Sequence, residues 1–96
     1  MYSNHEIEKK LRQLKPTLAG QFHVSRIGYF GSYSNGSQTN KSDLDLIVEF
    51  SKPIGWNFFK LEKYLEIALE LRIDLVTAGS LKDRIKKSIL DQVHYI

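Results

Sequence analysis

Apolar positions fall at two spacings along this 96-residue chain, and the spacing changes mark out its elements. Ile7, Leu11, Leu14 and Leu18 recur at helical intervals, which predicts a helix over Ser3 to Lys15. Ser3 followed by Glu6 makes a capping box at its start, and Pro16 is expected to end or kink it before a turn at Gly20-Gln21. Phe22 to Phe30 predicts a first strand, Tyr33 to Gly36 a short helical turn, and Ser37 to Lys41 a polar loop. Asp43 to Phe50 predicts a second strand, with Leu44, Leu46, Val48 and Phe50 on one face. Breakers in Ser51 to Gly55 lead into the longest helix, Trp56 to Arg72, whose Phe58, Leu61, Leu65 and Ala68 face the core. Trp56, Phe58 and Phe59 are assigned to packing in the core and connection. Arg72 to Thr77 predicts a third strand. Leu81 to Asp91 predicts a final helix, with Ser80 as N-cap, Asp83 as its N3 partner, and Leu81, Ile85 and Ile89 as its stripe. Val93 to Ile96 alternates again and is a candidate fourth strand.

The order is α-β-(α)-β-α-β-α, an α/β (α+β) arrangement. If Gly31 ends the first strand and Asp43 opens the second, the two meet when these strands run antiparallel. If Asp74 is to join Asp43 and Asp45, the second and third strands must run parallel, and the intervening helix is long enough for that crossover. A small mixed β-sheet with helices packed on one side follows.

Composition narrows the class. The length fits a single domain, residues 1–96. No apolar run approaches the ~20 residues that span a membrane. The polar N-terminus lacks a signal segment, and without cysteine there is neither disulfide nor thiolate zinc site. A cytoplasmic protein is the simplest expectation. The net charge is +3, and within residues 1–40 Lys9, Lys10, Arg12, Lys15 and Arg26 outnumber Glu6 and Glu8. That stripe is too weak to argue for direct nucleic-acid binding and reads as a solvated helix face. His5, His23 and His94 are scattered without metal-ligand spacing and are given structural or surface roles.

The chemistry concentrates between Gly31 and Phe50. Asp43 and Asp45 project from the same face of one strand, where each raises the cost of ionising the other. A divalent cation between them removes that cost, and oxygen-only ligands suit Mg²⁺, which takes one or two carboxylates plus substrate phosphates. Just upstream, Gly31-Ser32 ends a strand. Its backbone N–H groups and hydroxyl suit phosphate oxygens. No Gly-Lys-Ser/Thr follows, so this is not a Walker loop.

Gly31-Ser32, Gly36 and the run Ser42-Asp43-Leu44-Asp45-Leu46 together resemble the signature of the DNA polymerase β-like nucleotidyltransferases. Among these, the short chain looks most like the minimal nucleotidyltransferases (MNT) of HEPN/MNT toxin–antitoxin pairs. The later run from Arg72 to Leu90 resembles that family's third-aspartate strand and closing helix, so nearly the whole chain is covered. The resemblance implies a nucleotidyltransferase fold, ATP as substrate, two Mg²⁺ ions, and Asp43, Asp45 and Asp74 as catalytic and metal-binding residues. Asp74 would either bind the second metal or accept the acceptor's proton. Gly31, Ser32, Gly36 and Ser42 form the implied nucleotide-binding set, with the Ser42 hydroxyl also tightening its turn. The implied activity is transfer of AMP to a tyrosine of a HEPN RNase toxin, which neutralises it. One position departs from the pattern: Asn35 stands where the family carries arginine before the second glycine, with Lys41 nearby to compensate. Two alternatives stay open, a non-catalytic antitoxin that masks the toxin and a small-molecule nucleotidyltransferase. The absence of room for an acceptor domain counts against the second.

Overall fold

The computed structural model describes residues 3–36 and 43–96. Ser42, Lys41 and the expected polar loop over residues 37–41 lie outside the described residues.

Helix α1 runs from Asn4 to Phe22 and starts where expected. The Glu6 N–H donates to Ser3 Oγ at 3.2 Å, and the Ser3 N–H donates back to Glu6 Oε1 at 3.3 Å. Pro16 does not end the helix, and Gly20-Gln21 lies inside it. An internal proline forfeits a hydrogen bond and costs about 3 kcal/mol. Two residues later, however, Leu18 is buried in one cluster with Ile7 and Leu11, and burying such a side chain returns roughly 1.5–3 kcal/mol. The stop comes at His23, in the left-handed region at φ 56°, whose N–H donates to the Leu18 carbonyl. Strand β1 therefore covers Val24–Phe30 and excludes Phe22.

After the one-turn helix α2 (Ser32–Asn35), strand β2 covers Leu44–Phe50 and pairs antiparallel with β1. Helix α3 (Asn57–Leu69) then crosses over to β3 (Ile73–Thr77), which lies parallel to β2. A short β4 (His94–Tyr95) pairs antiparallel with the other side of β1, giving the order β3-β2-β1-β4. The mixed sheet expected from the positions of the aspartates is the one observed. Leu44, Leu46 and Val48 are wholly shielded on one face of β2, packed in one cluster with Ile7, Leu11 and Leu18 of α1 and Leu61, Leu65 and Leu69 of α3.

Two expectations fail away from that core. Trp56 is 84% exposed and Phe59 59%; they touch each other, with centroids 5.8 Å apart, while Phe58 turns inward against Phe50. The last helix, α4, begins at Asp83 and ends at Gln92, and Lys82, not Ser80, is its cap residue. Ser80 ends a one-turn 3-10 segment, Ala78–Ser80, where its hydroxyl donates to the Thr77 carbonyl at 2.9 Å. No α4 residue is buried, and Ile85 is 51% exposed, so its apolar stripe is not a core stripe.

Candidate active site

The site grows from strand register. Phe30 of β1 stands opposite Asp45 of β2, and Asp45 stands beside Asp74 of β3. Residues paired across neighbouring strands share a face, so Asp74 joins Asp45 on the side away from the core, with Asp43 two positions upstream. Opposite this face, Leu44 and Leu46 pair with Ile73 and Leu75, all buried, which fixes the strand ends that bear the carboxylates.

Gly31 closes the edge from the β1 side. Its φ is 74°, a conformation that penalises a side chain, and a Cβ there would strike Oδ2 of Asp45. The backbone thus runs directly against the carboxylate. The Gly31 carbonyl accepts from the N–H groups of Ser34 at 3.0 Å and Asn35 at 3.2 Å, which winds α2. Gly36 ends that turn at φ 79°, its N–H donating to the Ser32 carbonyl. The Ser34 hydroxyl donates to the Gln92 carbonyl and ties the turn to the end of α4. Tyr33, equally suited by sequence to base stacking or loop packing, is 1% exposed within the core, which decides for packing.

The carboxylates are electrostatically crowded. Burial, then the charges of Asp74 and Asp43, then a hydrogen bond with Asp74, push Asp45 up to about 6. Asp43, exposed, meets Arg72, whose Nε lies 3.4 Å from Asp43 Oδ1. Among the described residues no three histidine or carboxylate side chains close to metal-ligand separation. Asp45 and Asp74 hold each other, and Asp43 is turned to Arg72. The donor set nonetheless fits a hard divalent cation: all oxygen, on two fixed strand ends, and short of compensating charge. Arg72 is the residue that sequence reading missed at this edge. Its signal appears only with the β2–β3 register, which seats it beside Asp43. An open cleft of about 510 Å³, lined by Val48, Phe50, Lys52 and Thr77 among others, lies at the opposite end of β2 and β3, away from these carboxylates.

The chain belongs to the nucleotidyltransferase domain family, which it matches over residues 5–96, and it is an enzyme of that class. Among its relatives, it is 43% identical over 97 residues to the protein adenylyltransferase MntA of Thermococcus cleftensis, an alignment spanning 100% of this chain and 98% of the relative. Its fold is similar to a solved structure described as that of a minimal nucleotidyltransferase, with a TM-score of 0.80 at 26% identity over 97% of this chain and 95% of the other. It is also similar, with a TM-score of 0.60 at 25% identity, to a chain in the complex of tri-AMPylated Shewanella oneidensis HEPN toxin with MNT antitoxin, covering 96% of this chain and 66% of that one. No helix among the described residues is long and apolar enough to cross a membrane.

Proposed function

We propose that this chain is a single-domain, cytoplasmic, Mg²⁺-dependent protein adenylyltransferase. It moves AMP from ATP to a tyrosine hydroxyl of a HEPN RNase toxin and thereby acts as its antitoxin. The observation that carries this reading is the meeting of Asp45 and Asp74 across β2 and β3, with Asp43 on the same face and Gly31 pressed against Asp45. The name of the Thermococcus relative and the HEPN complex of the Shewanella protein support the donor, the acceptor class and the partner.

Asp43 and Asp45 are the residues that would hold Mg²⁺, with Asp74 either a further ligand or the acceptor of the phenolic proton. When bound, the metal supplies charge neutralisation at the phosphates and lowers the barrier to deprotonating the acceptor. The N–H groups around Gly31 and Ser32, and the turn closed by Gly36, receive the β,γ-phosphates, with Ser42 assigned to the same set. The acceptor oxygen forms a bond to the α-phosphorus, the bridging α,β bond breaks, and pyrophosphate leaves with its electron pair. Asp45, raised to about 6 by burial and by the charges of Asp74 and Asp43, is the carboxylate whose ionised form gains most from a cation.

The non-catalytic mask has one observation in its favour, a neutral amide at Asn35 where the family pattern carries a guanidinium. Asp74→Asn separates the two readings. Asp74 is an exposed strand residue outside the core cluster, so the variant is expected to fold and to bind the toxin. Substoichiometric wild type with ATP and Mg²⁺ should add AMP mass to a HEPN toxin from the same genome and silence its RNase activity. Asp74→Asn should do neither. Equal protection by both proteins, with no mass shift on the toxin, would establish masking.

A further inference from the structure

The ion pair at the aspartate edge has an unusual mechanical setting. The Arg72 carbonyl accepts the Leu44 N–H at 2.9 Å, so its backbone is pinned beside Asp43 by the sheet ladder. Its side chain, however, is 80% exposed. An ion pair this open is weak, so a divalent cation that takes Asp43 can displace it readily. The displaced guanidinium stays within one side-chain length of the carboxylates, because its backbone is held in the ladder. Asn35 provides no cation on the β1 side. Arg72 stands on the β3 side, and the order β3-β2-β1 sets the carboxylates between it and Gly31. With the β,γ-phosphates at the glycine turn, the β3 flank is the α-phosphoryl end.

We propose that Arg72 is the resident counter-ion of this site. It occupies Asp43 while metal is absent and, once metal and nucleotide displace it, donates its forked N–H groups to the α-phosphoryl oxygens. This rests on the nucleotidyl-transfer reading and supplies the cation that Asn35 does not. A guanidinium suits the role because its planar fork matches two phosphoryl oxygens at once.

Two titrations of the purified chain test it, Mn²⁺ alone and Mn²⁺ with α,β-methylene-ATP, on wild type, Arg72→Ala, Arg72→Lys and Asp43→Asn. Arg72→Ala should bind Mn²⁺ alone about two- to fivefold more tightly, because a competing cation is gone. It should bind the metal–nucleotide complex about three- to tenfold more weakly. Arg72→Lys should return Mn²⁺ affinity to wild type and nucleotide affinity only in part. The opposite signs matter, since damage to the fold would weaken both. If Asp43→Asn weakens Mn²⁺ binding while Arg72→Ala shifts neither affinity, or shifts both the same way, the role of Arg72 is overturned. If Asp43→Asn leaves Mn²⁺ binding unchanged, the metal-site reading fails and this proposal falls with it.

Discussion

On one face of β2, Leu44, Leu46 and Val48 are sealed beneath α1 and α3. On the other, Asp45 is half-buried against Gly31 and Asp74, and Asp43 just before the strand reaches water. Alternation at period two lets a single short strand serve both ends without mixing them. The apolar face fixes where the backbone lies. The carboxylate face inherits that fixity, which a site needs to hold its geometry. The two faces also differ in energetic sign: burial stabilises the first and penalises the charged form of the second.

Substitutions on the two faces should therefore diverge. The largest effect belongs to the apolar face. Leu46→Ala should lower stability by about 2–5 kcal/mol in urea unfolding, the range for deleting a buried leucine side chain. Gly31→Ala comes next, at about 1–3 kcal/mol, since it combines backbone strain with a clash against Asp45. In an Asp45→Ala background the clash disappears and the strain remains, so the cost of Gly31→Ala should shrink without vanishing. Full additivity in that double-mutant cycle would show that the two residues do not press on each other.

Asp45→Asn should move stability the other way in metal-free protein. An acid raised from 3.8 to about 6 in the folded state binds its proton more tightly folded than unfolded. Its penalty is absent below pH 3.8, grows as pH rises, and is complete above about 6. The amide removes it. Allowing for the group's partial exposure, Asp45→Asn should gain about 1 kcal/mol near neutrality and nothing below the unfolded pKa. A gain that persists in acid would refute this origin. The smallest effect is expected at Asn35, on the exposed end of α2. Asn35→Arg should tighten ATP binding by about 0.5–1 kcal/mol in calorimetry, and unchanged affinity would mean that another cation already serves.

Much of this comparison was legible in the chain itself. The placement of Asp43 and Asp45 against Leu44, Leu46, Val48 and Phe50 declared both faces of β2, and the need to gather Asp43, Asp45 and Asp74 dictated which strands run parallel. The misses share a cause, the override of one local signal by a competing contact. Pro16 is a local breaker, but the burial of Leu18 carries the helix past it. Ser80 is a good cap by type, but the 3-10 turn claims its hydroxyl and moves the start of α4 to Asp83. Trp56 and Phe59 have core-like composition and yet lie outside, because Phe58, Leu61 and Leu65 already fill that face of α3. Arg72 carries no pattern of its own. Its meaning comes from the neighbour that strand register assigns to it.

The parallel seam between β2 and β3 bears on how the protein is made. Asp45 and Asp74 meet only after α3 has been laid across the sheet, so their contact spans a long loop closure, the slow kind of step in folding. A nascent or partly folded chain that has formed only the β1–β2 hairpin holds Gly31, Asp43 and Asp45 but lacks Asp74. Under the proposed mechanism, chemistry at this edge is conditional on completed topology, and catalytic competence would report that the whole sheet has closed.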